Sequence, residues 1–518
     1  MQSVTLKSRT SKSIFNIITS VGGHALVTIL GFVSRTIFIR YLAIELLGVN
    51  GLFSSILQIF SLADLGFATA ITYALYKPLS ENDEQKISVL MRYYAKFYTF
   101  VGCFILLIGL ALLPFLQYLI NGFEDINITL NELRLYFFIF LISTVSTYFI
   151  AYKRTLLISD QKKYLINLVN ICVSIVSRLA LIFIIIAFSN FTLYLIFQVL
   201  FVYIENIIIN IIVDKKYNYL KLFKNEKLSN EEKKALFINI GALFVTKFSS
   251  VFTTGIIAVI ISRIIGLREV GLYSNYRLVI VLFTTILGLI FDSVTASVGN
   301  FVSTECKEAQ KLLFKKILYI NSFFAILFLS GFVFLFNDFI IIWLGPNLVY
   351  DNLLPVVLSI HLFFYLLRYT PWLFINACGL YKHYFYKSFF EIIMFLCLAI
   401  PGAIYFGISG IIAAQLISFL IAQIPFEILV VSKYVLAKKT TFYYFELFKY
   451  FIIAIPCLSL SFLVYTFIPF YGIIGFIIKT FLIILIVTSL FTLSTFKTIE
   501  FKYYFNLLTV KIKNNTKS

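Results

Sequence analysis

Charge is scarce in this 518-residue chain: Asp, Glu, Lys and Arg make up 13% of it, against 61% hydrophobic residues. With a mean hydropathy of +0.96, that balance excludes a soluble domain of ordinary composition. The signatures of common chemistries are missing too. There is no GxxxxGK[ST] phosphate loop, no HExxH, no DxD-type carboxylate pair, and no Ser-His-Asp arrangement on a sizeable extramembrane domain. No enzyme is therefore expected. The six cysteines (Cys103, Cys172, Cys306, Cys378, Cys397, Cys457) have neither CxxC spacing nor a neighbouring histidine, which excludes a metal site and leaves them as expected buried thiols. Trp and Met are rare while Phe and Tyr abound, a bias that AT-rich coding produces without structural demand. The first apolar stretch is too long for a signal-peptide core and is followed by no small-residue cleavage site, so the first helix is expected to stay.

What is present is a series of long apolar runs. Segments of roughly twenty residues suffice to span a bilayer, and they recur at Ile14–Arg40, Val49–Leu75, Ile87–Ile120, Leu133–Ala151, Tyr164–Phe188 and Phe191–Val213. After a basic connector they continue at Ala235–Ile261, Gly271–Val298, Leu312–Phe336, Leu353–Ala377, Tyr384–Phe406 and Ile408–Val431, and a last pair occupies Phe442–Phe467 and Gly472–Leu493. The expectation is an all-α integral membrane protein of about fourteen spans. Two capping boxes are expected, Ser80 with Asp83 and Ser229 with Glu232.

The formal charge of +19 is spread over short connectors rather than gathered on a surface that would grip nucleic acid. With the N-terminus in the cytoplasm, Lys77, Lys86, Lys153, Arg154, Lys162, Lys163, the Asp214–Lys234 loop, Lys307, Lys311, Lys315, Lys382, Lys387, Lys438 and Lys439 all fall on the cytoplasmic side. The opposite connectors, such as Asn121–Glu132, are short or acidic. The positive-inside rule then gives a cytoplasmic-membrane protein with both termini cytoplasmic. The Asp214–Lys234 loop and the tail Lys497–Lys517 set topology and are also candidates for anionic lipid contact.

Sliding the chain on itself by 223 positions pairs Gly48 with Gly271, Arg40 with Arg263, Ser80 with Ser303, Leu90 with Leu313, Arg92 with Lys315 and Gly122 with Gly345. These matches fall at equivalent topological positions, as a duplicated unit of six helices requires, and an even span count makes the copies parallel. The expected organisation is a six-helix lobe over 1–213, a basic cytoplasmic linker over 214–234 and a second six-helix lobe over 235–434. An extra helix pair (435–496) and a basic cytoplasmic tail (497–518) complete it. Parallel repeats enclose a substrate path between them.

Charged groups inside hydrocarbon cost about 2.5–3.5 kcal/mol even on lenient scales, so they mark cavities or partners. His24 lies midway along the first span and Lys247 at the matching depth of the seventh. Arg35 sits nearer the outer end of the first span and Arg178 in the fifth. Together Arg35, Lys247, His24 and Arg178 are the candidate cavity cations for an anionic headgroup. Each has an alternative: Arg35 snorkelling outward, Lys247 locked to an acid, His24 packing or relaying a proton, and Arg178 paired within its own lobe. Asp64, Asp292 and Glu205 are candidates for coupling to a proton or sodium ion, or for charge pairing. Arg368 lies in apolar surroundings without an assignable partner. Tyr273, Tyr276 and Tyr76 read as interfacial belt residues, and Pro371, Pro401 and Pro425 as sources of kinks.

The runs SRTIFIRYLAIELLGVNG at Ser34–Gly51 and FSLADLGFATAITYAL at Phe60–Leu75, with Leu62, Asp64, Leu65, Gly66 and Ala70 in the pattern, resemble the start of bacterial oligosaccharide flippases of the Wzx kind. ISRIIGLREVGLYSNYRLVI at Ile261–Ile280 is similar to the start of that family's second lobe. The resemblance implies the multidrug/oligosaccharidyl-lipid/polysaccharide exporter fold: two six-helix lobes around a central cavity plus a terminal helix pair. It also implies movement of undecaprenyl-pyrophosphate-linked repeat units across the membrane by alternating access, for capsule, exopolysaccharide or O-antigen assembly. The partners it implies are the lipid-linked oligosaccharide, membrane lipids, and a polysaccharide polymerase with its chain-length regulator. A cation-coupled multidrug exporter of the same fold and a cell-envelope polymerase are the rival readings.

Overall fold

A computed structural model of the chain describes residues 23, 25–61, 67–125, 128–223, 228, 229, 231, 248, 249, 251–380, 385–437, 439–468 and 472–515. Among the described residues the regular structure is helical. Ten helices are long and apolar enough to cross a membrane, and Ile44–Phe60 and Val251–Ile264 are shorter apolar helices. The side chains that cover the outside confirm the solvent. Phe183 is 66% exposed and Ile404 64%, positions that suit hydrocarbon and would be penalised in water. Four of the six thiols expected to be buried are exposed as well: Cys103, Cys172 and Cys397 on apolar helix surfaces that suit lipid, and Cys306 in the polar connector that starts the helix Lys307–Leu344; Cys457 is buried.

The chain divides into two compact units, Met1–Ser274 and Asn275–Ser518, each with its own apolar core. The first contains α1 (25–41), α2 (Ile44–Phe60), α3 (Phe67–Glu81), α4 (Glu84–Leu112), α5 (Leu130–Ile150), α6 (Arg154–Ser159), α7 (Lys163–Phe188), α8 (Phe191–Lys216) and α9 (Val251–Ile264). The opening turns of α10 (Leu267–Thr304) also belong to it. Within it α5 packs on α4, α8 and α2, and α7 on α8, with Phe53 of α2 set edge-on to Phe137 of α5 at 5.1 Å. The second unit contains α11 (Lys307–Leu344), α12 (Leu353–Cys378), α13 (Phe385–Ser418), α14 (Ile424–Val430), α15 (Thr441–Phe467), α16 (Gly472–Thr495) and α17 (Ile499–Asn515). Here α11 is central, packing on α12, α15 and α16. Lys479 of α16 reaches Asp338 of α11 at 3.8 Å.

The helix boundaries follow from local chemistry. Asp83 caps α4, its Oδ1 accepting from the Lys86 amide at 2.8 Å. Ser80 is not part of that cap, since its hydroxyl donates back to the Lys77 carbonyl at 2.7 Å. A complete capping box instead starts α5, between Thr129 and Glu132; the box expected at Ser229 involves Glu232, which lies outside the described residues. Ser189, in the left-handed conformation at φ 46°, ends α7, and Asn190 then accepts from the Leu193 amide at 3.0 Å to begin α8. The join expected between Phe406 and Ile408 is a break inside α13 at Gly407, φ 58°. A Cβ there would stand 2.1 Å from the Tyr350 hydroxyl, so only glycine fits. In the connector after α6, Asp160 bridges Lys162 and Tyr217. Burial works against its carboxylate, but these two hydrogen bonds outweigh it and hold the group below its usual range.

The 223-residue spacing recurs in the helix starts. α2 begins at Ile44 and α10 at Leu267, α4 at Glu84 and α11 at Lys307, α5 at Leu130 and α12 at Leu353. Gly122 and Gly345, paired by the same spacing, both have positive φ. Related positions also meet. A Cβ on Gly48 would stand 2.0 Å from the Leu267 carbonyl oxygen, and one on Gly271 would stand 2.6 Å from that of Ile44. Two copies of one sequence element thus touch reciprocally, glycine against the first carbonyl of the other copy's helix. Asn121 clamps the neighbouring connector, its backbone amide donating to the Ser262 carbonyl at 2.8 Å and its side-chain amide to the Ile264 carbonyl at 3.2 Å. Overpacking such a contact costs typically 1–3 kcal/mol. Gly48→Ala and Gly271→Ala are each expected to lower the thermal unfolding midpoint in detergent by several degrees. Unchanged midpoints in both would show that this backbone contact is not made.

Candidate functional site

Phe38 of α1 sits edge-on to Tyr194 of α8 at 5.2 Å and to Phe191 at 5.9 Å. This aromatic contact presses the inner face of α1 onto α8, and the residue one turn earlier on α1 is Arg35. Its Nη1 donates to the Ser274 hydroxyl at 3.2 Å, and that hydroxyl donates in turn to the Gly271 carbonyl at 2.7 Å. Arg178 of α7 lies within electrostatic reach of both Arg35 and the buried Tyr194. Two cations picked out from sequence, on helices far apart in the chain, therefore share one neighbourhood in the membrane-spanning part of the first unit. Among the described residues neither forms an ion pair with a carboxylate.

That is unlike the treatment of other charges. Glu205, on α8 as well, pairs with Arg154 and, in the amide orientation that satisfies both groups, accepts from Asn170. Lys153 meets Asp214 at 2.6 Å, so α8 runs on into the segment expected as linker. In the second unit Arg368 of α12 clasps Glu427 of α14: Nε donates to both carboxylate oxygens at 2.8 Å, and Nη2 lies 2.7 Å from Oε1. Lys387, expected in a cytoplasmic connector, is instead buried in α13 and pairs with Glu391 one turn on at 2.7 Å. Lys315 pairs with Glu446. Arg35 and Arg178, within electrostatic reach of one another and without a carboxylate partner among the described residues, differ from these neutralised charges.

His24, Lys247 and Asp64 lie outside the described residues, as does the side chain of Asp292, so the structure neither joins them to Arg35 and Arg178 nor separates them. Tyr273 and Tyr276 are not belt residues: both are buried, and the Tyr276 hydroxyl donates to Asn337 at 2.8 Å and accepts from the Tyr350 amide at 3.3 Å. Tyr76 remains exposed. A cleft of about 580 Å³ in the first unit is lined by Glu45, Glu132, Arg268 and Glu269. Its acids occupy first turns of α2, α5 and α10, where they complement the helix dipoles. Among the described residues no cluster of His, Cys, Asp and Glu is arranged to hold a metal ion. Glu427, Asp338 and Lys479 are isolated charges within apolar runs, and Glu391 and Glu446 are lone acids in aromatic stretches with a lysine three or four residues away, so the sequence signal for all five is charge at membrane depth.

The sequence model of polysaccharide biosynthesis proteins matches residues 13–298, more than half of the chain. The chain belongs to the polysaccharide biosynthesis protein family. Among proteins similar to this family member is a "Putative O-antigen export protein" of Yersinia pseudotuberculosis, 28% identical over 425 residues that cover 77% of this chain and 93% of the relative. Among solved structures, the lipid II flippase MurJ in an inward closed conformation is similar at a TM-score of 0.68, with 16% identity, over 93% of this chain and all of that one. An inward-facing MATE-family multidrug resistance transporter of the MOP superfamily is similar at 0.59, with 14% identity, over 79% and 94%. At such identities the likeness is one of fold, an all-α, multi-pass membrane architecture.

Breaking a buried ion pair from one side strands the other charge, at about 3–5 kcal/mol, whereas removing both charges is far cheaper. Glu427→Gln is accordingly expected to destabilise the protein strongly in thermal melts, and adding Arg368→Met to restore most of the loss. A double variant no more stable than the single one would contradict the pairing.

Proposed function

We propose that this protein is a flippase that carries undecaprenyl-pyrophosphate-linked oligosaccharide repeat units across the bacterial cytoplasmic membrane by alternating access, supplying capsule, exopolysaccharide or O-antigen assembly. It is a transporter rather than an enzyme, and family membership carries the general reading of a translocase for a lipid-linked substrate. The observation that favours an anionic headgroup is the Arg35 and Arg178 pair, which shares Tyr194 and has no carboxylate partner among the described residues. A pyrophosphate leaving water needs charge-assisted donors, and guanidinium groups provide them in a planar fork. The multidrug-exporter alternative calls for acidic groups at the binding site, to attract cationic drugs. Here the flagged acid nearest in sequence to that site, Glu205, is already engaged by Arg154.

On this reading the two halves form lobes around a central passage, Lys247 and His24 add to its positive lining, and Asp64 and Asp292 are available for pairing or for coupling to a proton or sodium ion. Both termini then face the cytoplasm, the polymerase and chain-length regulator act on the product at the far side, and membrane lipids bathe the whole. In a strain lacking this protein, Arg35→Ala and Arg178→Ala are each expected to leave lipid-linked repeat units accumulating in the inner leaflet, with the lysine variants retaining part of the export. Wild-type export by both alanine variants would remove the cation pair from the substrate site.

A further inference from the structure

α17 closes the second unit without belonging to its membrane-spanning helices. Glu500, Lys502, Lys511 and Lys513 interrupt its apolar residues, and it follows α16 after the short connection Phe496–Thr498. One face of it docks on α11. The Tyr504 hydroxyl donates to the Lys316 carbonyl at 3.2 Å, and the Tyr504 ring lies nearly parallel to that of Tyr319 at 5.9 Å. Glu500, one turn before Tyr504, is buried. The Lys316 ammonium in turn stands 3.4 Å from the centre of the Tyr503 ring, a cation–π contact that ties the two helices a second time.

Lys316 marks a depth in the membrane. With 38 residues α11 is about 57 Å long, well beyond a hydrocarbon core of about 30 Å. Lys307, Glu308, Lys311, Lys315 and Lys316 crowd its start, and after Lys316 no charge follows until Asp338. Hydrocarbon therefore begins close to Lys316. A helix tied to the Lys316 carbonyl and to Tyr319 lies where headgroups give way to acyl chains, and α17 carries the side chains such a place calls for. Ile499, Tyr503 and Leu507, spaced by four and so in one line along the helix, are 66%, 42% and 50% exposed. Of the charged residues between Phe496 and Leu507, the acid Glu500 is buried, while Lys497 and Lys502 are exposed. An exposed apolar ridge with basic side chains beside it, on a helix at the interface, is the chemistry that binds an anionic lipid surface.

We propose that α17 is an interfacial helix that binds anionic phospholipid: Ile499, Tyr503 and Leu507 insert among the acyl chains, and Lys497 and Lys502 hold the headgroup phosphate. In the orientation proposed above, the leaflet is the cytoplasmic one. The ligand is the bulk lipid around the protein rather than the lipid-linked oligosaccharide, so the site is independent of the cargo. A second copy of the chain is a poorer cover for the ridge, because a two-fold contact would bring its lysines against their own kind. Since α11 packs on α12, α15 and α16, the grip of the lipid on α17 passes through Tyr504 to the central helix of the second unit. The anionic lipid content of that leaflet then bears on the stability of the unit.

Photo-cross-linking of the full-length chain tests this, with a diazirine-bearing amino acid in place of Leu507 and nanodiscs holding equal parts phosphatidylglycerol and phosphatidylcholine. Irradiation is expected to give phospholipid adducts, identified by mass, with phosphatidylglycerol favoured about tenfold, since each basic residue near an anionic surface is worth roughly fivefold. With Lys497→Gln/Lys502→Gln added, lipid adducts should still form through the ridge, but the preference should fall to about twofold or less. A cross-linked pair of chains, or a product of reaction with water alone, would overturn the interfacial placement. Equal labelling of the two lipids by the protein with both lysines, or a preference that survives the double glutamine variant, would overturn the anionic site. The thermal unfolding midpoint of the unmodified protein should also be several degrees higher in phosphatidylglycerol than in phosphatidylcholine, and the double glutamine variant should lose that difference. Equal midpoints in the two lipids for the unmodified protein would overturn the link to α11.

Discussion

Hydrocarbon tolerates charge only where another group answers it, and this constraint orders most of what is distinctive in the structure. Arg368 and Glu427, Lys387 and Glu391, Lys315 and Glu446, and Arg154 and Glu205 are placed so that each ion meets its opposite. Such pairs add little net stability, because desolvation consumes most of the Coulomb gain, yet breaking one from a single side is costly. Their value lies in fixing which helices sit together. Against that background Arg35 and Arg178 stand out as cations gathered around a tyrosine and a serine hydroxyl, and this is why the proposed function centres on them.

The second organising feature is duplication. Three helix starts recur at one spacing, and Gly48 and Gly271 meet the opening carbonyls of each other's helices. A reciprocal contact of this kind follows naturally when two copies of one element pack about a local two-fold axis, since whatever fits one side fits the other. The copies have nevertheless diverged in their charges. The first unit keeps its Arg35 and Arg178 neighbours, while the second has the ion pairs of Arg368 with Glu427 and Lys387 with Glu391.

Much of the fold was legible because a membrane span announces itself by length and apolarity alone. The runs from Ile87 to Val213 and from Leu353 to Leu493 correspond to helical segments within a few residues, the run Leu312–Phe336 is exceeded at both ends by the helix Lys307–Leu344, and Ser189 and Gly407 interrupt the chain where small and polar residues suggested a join. The site was half legible. Arg35 and Arg178 were visible as charges at depth, but their proximity depends on Phe38 docking α1 onto Tyr194 and Phe191, a contact that no periodicity specifies. Glu205 was visible and its partner Arg154 was not, because Arg154 sits among basic connector residues that read as topology signals. Lys387 was obscured in the same way by nearby Lys382, although its spacing of four from Glu391 is that of a helical ion pair. Tyr276 was misread because aromatic residues near helix ends usually mark the interface, whereas here its hydroxyl is committed to Asn337 and the Tyr350 amide.

The central claim is that Arg35 and Arg178 form an anion-binding pair, and binding of a short isoprenyl pyrophosphate to the full-length protein in nanodiscs tests it most directly. Charge-assisted hydrogen bonds are worth about 1.5–3 kcal/mol each. The Arg35→Gln/Arg178→Gln protein should therefore bind farnesyl pyrophosphate at least about tenfold more weakly than the unmodified one, with uncharged farnesol unaffected. Equal affinity of the two proteins for the pyrophosphate would contradict the account.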